Sequence, residues 1–230
     1  MSRGPLETLR AQQTTTRLPI PAAFVDVDET LVRDITFLSL FAFDAERFPE
    51  VDGPGTIREF FALRAQGMSR SDSHRWFYRL WAGREVAEVH RVGRAWCTAR
   101  IATAGFFNPA VRQRIQQLAS SGTRIVLVSG SFDAALRPLA TLLRTDAVLC
   151  TVLEVHNGFY TGEVVETMVG ADKSAALRRY AAQTGIDLSA CAAFGDHHSD
   201  IAMFDLVGHP VIVGNADRAL DDYPADRLPG

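Results

Sequence analysis

Very little in this sequence is available for cross-linking, for anchoring in a bilayer or for holding a highly charged partner. Among 230 residues there are three cysteines. Cys97, Cys150 and Cys191 lie far apart in apolar surroundings, which excludes a disulfide framework or a Cys-rich zinc site and leaves core packing. No apolar run approaches the length that spans a bilayer. Residues 1–17 are polar with scattered arginines and lack an apolar leader core, so the reading is a flexible tail over 1–20 on a cytoplasmic protein without a membrane partner. A net charge of −3 gives no global case for nucleic acid. Repeats and low-complexity stretches are missing too. Lysine is almost absent: Lys173 stands alone, every other basic side chain being arginine. What is abundant is apolar surface, 47% of residues, enough for one large domain or a domain carrying an insertion.

The most informative stretch is Ala22-Ala23-Phe24-Val25-Asp26-Val27-Asp28-Glu29-Thr30. An apolar β-type run stops at two carboxylates two positions apart, which a strand's period of two sends the same way. In an open α/β sheet the carboxyl ends of the strands form the ligand crevice. Two like charges there call for a cation, and hard oxygen ligands suit Mg²⁺, which can accept a phosphate as a further ligand. Read by itself, the stretch is equally a capped strand-to-helix turn.

Three later segments repeat the theme of a strand or helix end carrying polar chemistry. Arg124-Ile125-Val126-Leu127-Val128 reads as a buried parallel strand and ends in Ser129-Gly130-Ser131, where free N–H groups and a hydroxyl suit an anion or form an ordinary helix cap. Gly170-Ala171-Asp172-Lys173-Ser174 opens a helix that stops at Gly185. Its lysine is either an exposed first-turn charge or a compact cation for a phosphoryl group. Near the end, Ala192-Ala193-Phe194-Gly195-Asp196 is again apolar and then acidic, with Asp200 four residues on. Val211-Ile212-Val213 reads as a last short strand.

Between the first motif and Asn108 the pattern is helical. Ile57, Phe60, Phe61 and Leu63, then Trp76, Phe77, Leu80 and Trp81, then Val86, Val89, Val92 and Trp96 recur at spacings of three and four, with breaks near Gly67 and Gly83. The Trp76-Phe77-Tyr78 and Trp81 cluster reads as core. From 51 to 107 nine arginines face five acids, a local charge of +4 that leaves −7 for the remainder. Most of these arginines are expected on solvated helix faces, with one or two reaching a site. Asn108-Pro109 caps a helix ending at Gly122, a short strand covers 147–150, and Asn157-Gly158 marks a hairpin within 152–165. Pro138 is expected to kink the helix that contains it.

Taken together, Asp26-x-Asp28-x-Thr30, Ser129, Lys173 and Gly195-Asp196-x-x-x-Asp200 resemble, in order and spacing, the four motifs of the haloacid dehalogenase-like (HAD) phosphatase superfamily, over residues 22–217. The helical insertion is similar to that superfamily's C1 cap, and the hairpin with Tyr160-Thr161-Gly162 resembles the phosphoserine phosphatase-like (HAD-IB) subfamily. The resemblance implies an α/β fold: a Rossmann-like parallel sheet sandwiched by helices (21–35 and 108–230), with an all-helical cap (36–107). It implies a Mg²⁺-dependent phosphatase acting on a small phosphorylated metabolite. Asp26 would be the nucleophile and Asp28 the general acid and base. Thr30, Ser129, Gly130 and Lys173 would hold the phosphate, and Asp26, Asp28 through its carbonyl, Asp196 and Asp200 the metal.

Departures bear on substrate. Phosphoserine phosphatases place a glutamate five residues after the motif threonine; here that position is Ile35, with Asp34 beside it. Glu29 is expected to point to solvent. His197 and His198 read as an exposed loop pair or as substrate contacts. The leading expectation is hydrolysis, with a phosphotransferase or mutase as the alternative and a non-catalytic binding module behind both. The expected assembly is a monomer or homodimer.

Overall fold

The computed structural model describes residues 20–230; residues 1–19, on which the expected tail falls, lie outside the described residues. Seven strands form one sheet: β1 (Ala22–Asp26), β2 (Arg124–Phe132), β3 (Ala147–His156), β4 (Phe159–Glu166), β5 (Ala192–Gly195), β6 (His209–Val213) and β7 (Asp226–Leu228). Their spatial order is β4-β3-β2-β1-β5-β6-β7. All pairs are parallel except β3 with β4. That antiparallel edge comes from the Asn157-Gly158 turn, whose two residues have φ of 51° and 83°, left-handed values that asparagine and glycine tolerate best.

Burial on both faces explains why β1 is apolar throughout instead of alternating. Val25, Leu127 and Phe194 pack into the larger core cluster, while Phe24, Val126, Val128 and Ala193 face the smaller one. The same register sets the site. Asp26 pairs with Val128, so Ser129 follows directly on the neighbouring strand. Val25 pairs with Phe194, so Asp196 emerges two residues later on the other side.

Four helices, α1 (Thr36–Ala45), α2 (Gly53–Ala65), α3 (Arg70–Tyr78) and α4 (Val86–Ile101), separate β1 from the rest of the sheet. Instead of forming a detached core, they bury Phe37, Phe60, Phe77 and Trp96, with Trp81 from the turn after α3, in the same cluster as Val25 and Leu127. Each such side chain contributes roughly 1.5–3 kcal/mol by burial. Further helices are α5 (Pro109–Ser120), α6 (Asp133–Leu143), α7 (Ala171–Thr184) and the single turn α8 (Ile201–Phe204). The Asn108 side chain caps α5, accepting from the Ala110 N–H at 3.1 Å.

Three strands differ from the sequence reading, the first being β2, which continues through Ser129-Gly130-Ser131 to Phe132. The short strand and the hairpin's first arm are one ten-residue strand, β3, because Thr151 continues the extended backbone where no glycine or proline interrupts it. The third strand beyond α7, β7, has only three residues, too few to show a period. Helix α6 runs through Pro138 as one element.

Candidate active site

The carboxyl ends of β1 and β5 and the first turn of α7 bring four predicted residues together. Lys173 Nζ donates to Asp26 Oδ1 at 2.5 Å and to Asp200 Oδ1 at 2.6 Å. Asp26, Asp196 and Asp200 each place a carboxylate oxygen within 4.8 Å of the others. Lys173 and Asp200 are buried. This lysine is therefore no solvated first-turn charge.

Each carboxylate is held by its own donors. Asp200 Oδ2 accepts the backbone N–H groups of Asp196 and His197 at 3.2 and 3.1 Å. Asp196 Oδ1 accepts the Thr30 hydroxyl at 2.6 Å. Thr30 is fully buried, and in this structure its one hydroxyl proton is given to that acid. Asp28 is turned the other way. Its Oδ1 accepts the Thr36 N–H at 2.7 Å and its Oδ2 the Ser129 hydroxyl at 3.1 Å, so its carboxylate stands apart from the three-acid cluster.

Burial governs the protonation of this site. It raises Asp26 well above the usual carboxylate range, a shift that Lys173 opposes and Asp200 and Asp196 reinforce. Asp196 is pushed up to about 7, mainly by burial, against the Thr30 hydrogen bond and with Asp200 adding. Burial also raises Asp28, while the hydrogen bonds from Thr36 and Ser129 pull it back. Desolvation lowers the pKa of Lys173, but Asp200 and Asp26 more than offset it and hold it above the ordinary lysine value. One fixed cation stands among three acids, whose mutual repulsion adds to the raised pKa of Asp26 and Asp196. A donor set of hard carboxylate oxygens at this spacing fits a divalent ion such as Mg²⁺.

The Ser129-Gly130-Ser131 segment in the last part of β2 meets the helical segment. Gly130's carbonyl accepts from Tyr78 Oη, Thr151 Oγ1 and His74 Nδ1. Arg70, at the start of α3, reaches His197 Nδ1 at 3.0 Å. The Arg70 charge favours the ionised form of Asp28. Other cap-region arginines are occupied elsewhere: Arg84 with Asp44 at 2.6 Å, Arg100 with Asp34 at 2.9 Å, and Arg75 with the Val164 carbonyl. Thr36, Arg70, His74 and Tyr78 were not singled out as site residues. The last three recur at a spacing of four on α3, a pattern that reads equally as a buried face.

His197 is half-buried and His198 exposed. His197 Nδ1 accepts the Ser199 N–H at 3.1 Å, and His198 Nδ1 lies 2.5 Å from Asp217 Oδ2. The pair belongs to a hydrogen-bonded loop. Glu29 is exposed as expected, with φ of 62°.

Residues 23–205 match the family model for haloacid dehalogenase-like hydrolases. A Streptomyces azureus protein named inhibition of morphological differentiation protein is 39% identical over 107 residues, 46% of this chain and 38% of that protein. A Mycobacterium tuberculosis protein named phosphoserine phosphatase SerB1 is 28% identical over 213 residues, 90% of this chain and 68% of its own length. The chain thus spans well under two thirds of the first of these relatives. Among solved structures, a substrate-bound phosphoserine phosphatase complex superposes with a TM-score of 0.67 at 21% identity, covering 92% of this chain and 93% of that one, which shows a shared fold.

Proposed function

The chain belongs to the haloacid dehalogenase-like hydrolase family, and from that premise we propose that it is a Mg²⁺-dependent phosphatase hydrolysing a small phosphate monoester through an aspartyl-phosphate on Asp26. The observation that carries this reading is the convergence of Asp26, Asp196, Asp200 and Lys173 from remote parts of the chain. Asp26, Asp196 and Asp200 would hold the ion, with the Asp28 carbonyl. When bound, the ion supplies positive charge that neutralises the acids and a phosphoryl oxygen.

In the proposed reaction an Asp26 carboxylate oxygen forms a bond to phosphorus as the ester P–O bond breaks, and the departing oxygen takes a proton from Asp28. Burial, which raises Asp28, favours the protonated form needed for that step. Asp28 then takes a proton from the water that attacks phosphorus, releasing phosphate and restoring the Asp26 carboxylate. Lys173 keeps its charge throughout and offsets repulsion between a carboxylate nucleophile and a phosphate dianion.

Helices in 36–107 would act as the cap that excludes water. An open cleft of about 620 Å³ is lined by Arg70, Val169, Gly170, Ser174 and His198 among others, and none of Asp26, Asp28 and Lys173 forms part of its wall. Ile35 is half-buried against the core and Asp34 is tied to Arg100. Neither serves a substrate ammonium, so the substrate proposed lies outside the amino-alcohol phosphates. The test is rapid quenching with a ³²P-labelled monoester. Acid-stable, hydroxylamine-labile label on the protein, absent in Asp26→Asn, is the expected result; turnover without such label would refute the covalent step.

A further inference from the structure

The peptide joining Gly130 to Ser131 is gripped from one side by three side chains. Gly130's carbonyl accepts the Tyr78 hydroxyl at 2.8 Å, the Thr151 hydroxyl at 2.8 Å and His74 Nδ1 at 3.1 Å. A carbonyl cannot donate, so His74 carries its proton on Nδ1, and three donors saturate an oxygen with two lone pairs. Burial keeps the ring neutral, its pKa pushed down to about 3. Tyr78 and His74 are four residues apart on α3 and so share one face. The Phe37 ring, 4.7 Å from the His74 ring, steadies the imidazole from the cap interior.

At its other end the same peptide points toward the chemistry. Its N–H, that of Ser131, donates to Ser129 Oγ at 2.9 Å, and the Ser129 hydroxyl donates to Asp28 Oδ2 at 3.1 Å. Hydrogen bonds in series polarise one another: donors on the carbonyl strengthen the amide N–H, and a donor on Oγ strengthens the hydroxyl it carries. An unbroken chain of hydrogen bonds therefore runs from α3 to the Asp28 carboxylate. Glycine at 130 is what allows it. A Cβ there would lie 2.7 Å from His74 Cε1 and 2.9 Å from Val169 Cγ1.

We propose that Tyr78 and His74 are positioning residues which, through the Gly130 carbonyl, set the orientation of Ser129 and of the Asp28 carboxylate; this rests on the phosphatase reading above. Neither residue touches the reacting atoms. The helical segment is thereby wired into the proton-transfer step, beyond covering the crevice.

The test uses the full chain, the monoester it turns over fastest, and orthovanadate as a mimic of the phosphoryl group in flight. Tyr78→Phe keeps the ring and removes one donor. It is expected to lower kcat roughly tenfold with KM within about twofold, and to weaken orthovanadate inhibition by a comparable factor. His74→Leu is expected to do the same, and His74→Asn, whose amide nitrogen can stand in for Nδ1, to recover most of the loss. Melting midpoints separate positioning from folding. Should Tyr78→Phe and His74→Leu keep wild-type kcat and orthovanadate inhibition, whatever happens to the midpoint, this inference is overturned and the phosphatase reading stands. A wild-type chain that releases phosphate from no monoester overturns both.

Discussion

The ammonium of Lys173 lies 2.5 Å from Asp26 Oδ1, across 147 residues of chain. The contact sets the sign of the site: one cation that cannot leave, against acids that cannot all be satisfied by it. Removing it in Lys173→Met leaves Asp26 and Asp200 buried without a counter-charge. The expected cost is about 3–5 kcal/mol of stability in metal-free buffer, together with a loss of phosphate release of at least ~100-fold. Thermal unfolding with and without Mg²⁺ checks it, with part of the stability but not the turnover restored by the ion.

Thr30→Val separates two roles for one hydroxyl. Because Thr30 donates to Asp196 at 2.6 Å, the variant is expected to need about 10-fold more Mg²⁺ for half-maximal activity, with kcat at saturating Mg²⁺ little changed. A titration that instead shows unchanged Mg²⁺ demand and weakened inhibition by inorganic phosphate would return Thr30 to the phosphate.

Metal-free stability should fall with pH over a defined window. Asp196 titrates near 3.8 when unfolded and is pushed up to about 7 in the fold, chiefly by burial. Between those values the folded chain holds more protons at Asp196 than the unfolded one, so this group's contribution to the unfolding free energy decreases as pH rises and is spent above about 7. Urea unfolding at several pH values, without Mg²⁺, measures the slope. Added Mg²⁺ is expected to flatten it.

At Gly130 the close approach of α3 is the constraint. Gly130→Ala places a methyl 2.7 Å from His74 Cε1, and the displaced helix should cost about 1–3 kcal/mol. Chemical denaturation gives the number, and a variant as stable as wild type would mean that α3 yields without cost.

The acids and the lysine were legible because parallel strands deliver their ends to one edge. Asp26, Ser129 and Asp196 each follow an apolar run, and the register of β1 with β2 and β5 makes them neighbours. Arg70, His74 and Tyr78 were hidden by the rule that exposed the helices. A spacing of four marks a buried face, and nothing local says that Tyr78, fully buried in an aromatic cluster, spends its hydroxyl on a carbonyl 52 residues away. Thr30 is ambiguous for a related reason: a hydroxyl next to two acids suits a phosphate or a third acid equally, and the sequence does not choose between them. Strand β7 is three residues long, with two of them exposed and polar, and leaves no periodic trace.

The most direct measurement is a phosphate-release screen over sugar phosphates, nucleotides and amino-alcohol phosphates, with and without Mg²⁺, beside Asp26→Asn. The account predicts release from some monoester only when Mg²⁺ is present, and none from the variant. Release that persists in Asp26→Asn, or that is indifferent to Mg²⁺, would contradict it.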